Sequence, residues 1–160
     1  MIVIGRMEIL GIKLFDMKNI PNLKAAMTPF PYTVQLETTL VAVRELIQDH
    51  NIHHIPVMKS GKIVGVITGK DVSARQEKEI NGDNEQPLLV LHIHMSKPYI
   101  VDINEPLENV LLTMAGKRIG ACVITKHGKL VGVFTYIDAC HYFGEYLQAK
   151  FPKNNNNDAA

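Results

Sequence analysis

The chain has 160 residues, 46% of them hydrophobic and 21% charged. That suits one domain of ordinary size or two small repeats sharing a core, and is too little for two independent enzymes. Lys and Arg number 17 against 16 Asp and Glu, so a net charge of +1 offers no broad basic field for nucleic acid or anionic lipid. Arg6, Glu8 and Lys13 interrupt the apolar start, Met1 to Phe15, which argues against a signal-peptide core or a membrane span and for a cytoplasmic protein. Cys122 and Cys140 lack a CxxC spacing and read as core or helix-face residues.

Residues 1–24 have no counterpart elsewhere in the chain; as an N-terminal extension they are expected to cover an exposed edge or apolar face. From there the sequence repeats. A shift of 67 residues lays Pro31–Asp71 on Pro98–Asp138 without a gap, with 14 identities in 41 positions. The matches fall at apolar, turn and terminal positions, among them Val64-Gly65-Val66 with Val131-Gly132-Val133, Thr68 with Thr135 and Asp71 with Asp138. Such a pattern marks a duplicated structural unit.

Within each copy the signals run in one order. An extended piece, Tyr32 to Val34 or Tyr99 to Val101, follows a proline that disfavours helix before it. A helix comes next: in the second copy Leu107, Val110, Leu111 and Met114 form a buried-face stripe, with Asn104 as N-cap candidate and Pro106 in the first turn. Two β-rich runs flank a residue-Gly turn, Ile55 to Met58 and Ile63 to Thr68 around Ser60-Gly61, Ala121 to Thr125 and Leu130 to Thr135 around His127-Gly128. A second helix follows, Lys70 to Glu79 or Ile137 to Leu147.

The fold class predicted is α/β (α+β), two β-α-β-β-α repeats. Their boundaries are 25–79 and 93–147, joined by a linker over 80–92, where the polar stretch Gln76 to Gln86 marks an exposed connection, and followed by a tail, 148–160, expected to be disordered because its Asn run has nothing to bury.

The motif Gly65-Val66-Ile67-Thr68-Gly69-Lys70-Asp71, its twin Gly132-Val133-Phe134-Thr135-Tyr136-Ile137-Asp138, and the openers Met27-Thr28-Pro29 and Met95-Ser96-Lys97-Pro98 resemble the tandem CBS-domain family, or Bateman module. Ile55-Pro56-Val57 is similar to that family's second strand. The resemblance implies repeats related by pseudo-two-fold symmetry, with clefts between them that take AMP, ADP, ATP, S-adenosylmethionine or another adenosine derivative as a regulatory ligand. It also implies pairing into a disk-like homodimer, for which the apolar helix residues Ala139, Tyr142, Phe143 and Tyr146 are candidates. No cofactor is required, and the effector protein is unknown.

The residues support that expectation without deciding it. Thr68 and Thr135, each before a helix, sit where free backbone N–H groups attract phosphate, and Asp71 and Asp138 one turn later can accept from ribose hydroxyls. Thr-x-x-Asp is equally a capping box. Lys70 adds a cation, and Ile137 stands at its position in the second copy. Thr33, Val34, Ile55 and Pro56, and Ile100, Val101, Ala121 and Val123, read as cleft walls or as plain core.

His53 and His54 stand where the second copy has Gly120 and Ala121. They are candidate phosphate partners, a solvated helix end with His50, or with His92 and His94 a metal site. No nucleophile-base spacing, phosphate-binding loop or ligated-metal pattern points to catalysis.

Overall fold

The computed structural model describes residues 22–79 and 87–151. The first repeat contains β2 (Val34–Gln35), α2 (Leu40–His50), β3 (His54–Lys59), β4 (Lys62–Thr68) and α3 (Gly69–Glu79). The second contains β5 (Ile100–Asp102), α4 (Leu107–Lys117), β6 (Ala121–Lys126), β7 (Lys129–Thr135) and α5 (Tyr136–Lys150). Ahead of the first lie α1 (Leu23–Ala26) and β1 (Thr28–Pro29), and a 3-10 turn, Val90–His92, precedes the second.

The duplication extends to atomic register. The β3–β4 ladder pairs His54 with Thr68 and Pro56 with Val66, then slips between Val57 and Met58; the β6–β7 ladder pairs Ala121 with Thr135 and Val123 with Val133, then slips between Ile124 and Thr125. Each pair and each irregularity is displaced by the 67-residue shift seen in the sequence. The helices before these hairpins end on left-handed caps, Asn51 and Arg118, and the hairpins turn through Ser60-Gly61 and His127-Gly128 at positive φ.

Local expectations need three corrections. Helix α4 has Pro106 at its N-cap, and Asn104 instead donates from its backbone N (3.0 Å) and its Nδ2 (2.8 Å) to Asp102 Oδ1. Proline disfavours helical conformation in the residue before it, Glu105, so the helix cannot start from a cap at Asn104 and begins after Pro106 without a side-chain cap. Strands β2 and β5 lie a residue or two later than the apolar pattern suggested, because the parallel ladders begin at Val34–Val57 and Ile100–Val123. Helix α5 continues to Lys150, so Gln148 to Lys150 are helical, while residues 152–160 lie outside the described residues.

Two cores form, one under each sheet. The first gathers Val34, Leu40, Val43, Ile55, Val57, Ile67 and Val72; the second gathers Val101, Leu107, Val110, Met114, Cys122, Ile124 and Phe134. Each is completed from the other half of the chain. Leu23, from the segment that leads into the first repeat, is buried in the second core, and Val90 and Ile93, from the segment that leads into the second, are buried in the first. The backbones follow suit: β1 pairs antiparallel with β7, and Ser96 bridges Val66 of β4 through two hydrogen bonds of 3.1 Å.

The stretch 88–92, read in sequence as part of a linker, is therefore packed structure; residues 80–86 and 1–21 lie outside the described residues. The sheets are thus β2-β3-β4 and β1-β7-β6-β5, and the exchange holds one beside the other.

Candidate functional site

Strand alternation decides which side chains each hairpin turns away from its own helices. On β3, Ile55 and Val57 enter the first core, leaving His54 and Pro56 on the opposite face; on β6, Cys122 and Ile124 enter the second core, leaving Ala121 and Val123 opposite. Pro56, Val66, Val123 and Val133 are buried yet belong to neither core. These opposite faces meet at the strand starts, where a Cβ on Gly120 would stand 3.2 Å from His54 Nε2 and 3.8 Å from the Tyr136 ring. The junction between repeats therefore runs through His54, Gly120 and Tyr136.

Both Thr-x-x-Asp motifs sit at the ends of β4 and β7 nearest this junction, and both are closed. Asp71 Oδ2 accepts from the Thr68 backbone N and from Thr68 Oγ1, each at 2.7 Å, and the Asp71 N donates back to Thr68 Oγ1 at 3.4 Å. Asp138 and Thr135 repeat this at 2.7, 2.7 and 3.2 Å. The capping reading is realised in both copies. Neither Asp Oδ1 takes a hydrogen bond among the described residues, so each carboxylate keeps an acceptor edge for a donor pair such as a diol.

The remaining expected residues divide. Val34, Ile55 and Val101 are buried in the repeat cores, so what they offer a ligand is backbone. Pro56, Ala121 and Val123 are buried at the junction face. Thr33, Lys70, Ile100 and Ile137 are exposed, and His53 is exposed beside the half-buried His54. Burial, reinforced by His53, pulls the His54 pKa below the ordinary histidine value, while Asp138 and Asp71 pull it back up. At neutral pH this imidazole is neutral.

Among the described residues no group of three or more His, Cys, Asp or Glu is placed to hold a metal ion. His50 is stacked on Tyr32 with ring centroids 4.0 Å apart, and His92 Nδ1 accepts from the Leu89 N at 3.1 Å. Cys122 is buried with its thiol pushed up to about 12, chiefly by desolvation, which leaves it unreactive. A surface pocket of about 480 Å³ opens near Lys24, Glu105 and Lys126, and none of the junction residues lines it.

Sequence reasoning missed Tyr136, whose backbone N donates to the Gly120 carbonyl at 3.1 Å. It also missed the purpose of Gly65 and Gly132. The exchanged segments lie directly on them: a Cβ on Gly65 would meet Met95 Cβ at 2.9 Å, and one on Gly132 would meet the Thr28 carbonyl at 3.2 Å and the Met27 sulfur. The repeated Val-Gly-Val was the available signal.

The family model for the CBS domain matches residues 23–77 and 90–145, both repeats and most of the chain. The chain is a tandem CBS-domain protein. A CBS domain-containing protein of Dictyostelium discoideum is 26% identical over 140 residues, covering 82% of this chain and 97% of that one. An L-aspartate semialdehyde sulfurtransferase of Methanocaldococcus jannaschii is 26% identical over 119 residues, 71% of this chain, but the match spans only 21% of that enzyme.

Among solved structures, the CBS domain pair of protein MJ0100 in complex with 5′-methylthioadenosine and S-adenosylmethionine superposes with a TM-score of 0.68 at 22% identity, covering 80% of this chain and 99% of that one. CBSX2 in complex with AMP gives 0.63 at 18%, covering 78% and 97%. At these identities the likeness establishes the fold, including the pseudo-two-fold pair.

Proposed function

We propose that this CBS pair is a regulatory, non-catalytic sensor that binds an adenosine-containing ligand between its repeats and signals to a partner protein in the cytoplasm. The observation that carries the reading is the pair of half-buried carboxylates, Asp71 and Asp138, held rigidly by their threonines with one oxygen each left unbonded among the described residues. A ribose presents two adjacent hydroxyl donors, which such an acceptor suits. Adenosine ligands in the MJ0100 and CBSX2 pairs support this ligand class. The ligand-contact set is that expected from sequence, with Val34, Ile55 and Val101 contributing backbone.

Homodimerisation through outward helix faces belongs to the same proposal. Leu112 on α4 and Phe143 and Leu147 on α5 are exposed, whereas Ala139, packed on the second core, and Tyr142 and Tyr146 are half-buried.

A second reading, a ligand-free structural or dimerisation module, is favoured by the capping geometry, which accounts for both threonines and one oxygen of each aspartate by itself. Calorimetry of the full chain with AMP, ADP, ATP, S-adenosylmethionine and NADH separates the two. Saturable binding of an adenosine derivative sustains the sensor, and absence of heat and of thermal stabilisation across the panel leaves the structural module.

A further inference from the structure

His54 touches both halves of the junction. It opens β3 opposite Thr68, the residue that caps α3 together with Asp71. Its imidazole reaches across to Gly120, whose carbonyl receives the first N–H of α5, next to the cap formed by Thr135 and Asp138. The second repeat returns nothing equivalent: at the positions of His53 and His54 it has Gly120 and Ala121. Two symmetric carboxylate anchors therefore share one titratable group. The charged and titratable groups that act on it are His53, the residue before the strand, Asp71 on α3 and Asp138 on α5; the Tyr136 ring lies against the same Gly120, and Lys70, next to Asp71 in sequence, is exposed.

We infer that His54 links the two ligand clefts, because an anionic group entering either one draws a proton onto this same imidazole. The inference rests on the sensor reading above and adds a regulation to it. When the imidazole starts neutral, the first phosphate-bearing ligand takes up part of a proton, and the second then meets a histidine already charged. Linkage makes the coupling reciprocal and positive. It is confined to a pH window just above the imidazole's own pKa: at lower pH the charge is present beforehand, and at higher pH neither ligand can produce it.

The test uses the full chain and AMP. Calorimetry near pH 7 in two buffers of different ionisation enthalpy reports proton uptake on binding for the wild type and for His54→Gln, which keeps the size of the side chain and removes its titration. The phosphate's own titration is common to both proteins, so the expected result is a larger uptake in the wild type; equal uptake overturns the inference.

A second measurement needs no ligand. The His54 imidazole is titrated by NMR in Asp71→Asn and in Asp138→Asn. Each substitution is expected to lower its pKa, since each removes a carboxylate that favours the cation; a response to only one of them, or to neither, overturns the sharing. Should AMP fail to bind the wild type, the sensor reading fails for AMP, and this titration still decides whether His54 is shared.

Discussion

Gly65 of β4 lies directly beneath Met95 of the segment that opens the second repeat, so close that a methyl group on Gly65 would stand 2.9 Å from the Met95 Cβ. A side chain lying this close over the glycine backbone leaves no room for another. Gly65→Ala should destabilise the fold by about 1–3 kcal/mol, the usual range for overpacking a tight site. Gly116, inside α4 with nothing within 4 Å of its missing Cβ, is the control. Gly116→Ala should stabilise by roughly 0.4–1 kcal/mol through the unfolded state. Urea denaturation that gave the two substitutions the same sign would contradict the packing described.

Asp71→Ala and Asp138→Ala should each weaken the ligand site they serve by roughly 10- to 150-fold, the equivalent of losing one hydrogen bond to a charged group. Each also opens a cap in which one oxygen accepts two hydrogen bonds, which costs about 0.5–2 kcal/mol of stability. The comparison between melting and calorimetry is what discriminates. Lower melting with unchanged nucleotide affinity in both variants would mean that the carboxylates are caps alone.

The His54 pKa is depressed by burial, so between the ordinary value of 6.5 and its lower folded value the unfolded chain binds more protons than the folded one. Its contribution is therefore fully present above pH 6.5 and is lost as pH falls through the folded pKa. In urea unfolding, the wild type should lose more stability than His54→Gln between pH 7.5 and pH 5.5. Parallel losses would place the imidazole in a more solvated setting than the one seen beside Gly120.

The two thiols should differ sharply. Cys140 is exposed on α5, whereas Cys122 is buried and its thiolate is strongly disfavoured. A thiol reagent at pH 8 should label one cysteine per chain within minutes and the second only on unfolding. Rapid labelling of both would show that the second core opens readily.

Sedimentation velocity at micromolar concentration checks the assembly. A dimer is expected, and substituting Leu112 and Phe143 by serine should shift it to a species near 17.9 kDa. A wild-type protein that sediments only at that mass removes the homodimer from the proposal.

What the sequence made legible was local or repeated. The β-rich run Ile55–Met58, the 3.6-residue stripe of Leu107, Val110 and Met114, and the glycines of the two hairpins each act over a few residues, and the 67-residue shift repeated the order of elements. The cap at Asn104 failed because Pro106 keeps the residue before it out of the helical region and so starts the helix later. The crossing of Thr28–Pro29 to β7 was invisible: a two-residue strand containing proline carries no periodicity, and its partner lies in the other repeat. At the site, Thr-x-x-Asp was readable as a motif, but the meeting of His54 with Gly120 depends on how two sheets face one another, which no local pattern encodes.

The exchange of opening segments also sets an order of events during synthesis. Leu23 to Pro29 leaves the ribosome before the hairpins of both repeats, yet the strand it pairs with, β7, is the last strand of the second repeat. The first repeat waits as well, since Val90 and Ile93 close its core only after α3 has been made. Long-range pairings of this kind form slowly and leave apolar surface open meanwhile. A nascent chain stopped between the repeats would hold one half-built core and one stranded leucine, so neither half can be released as a finished unit before the other is complete.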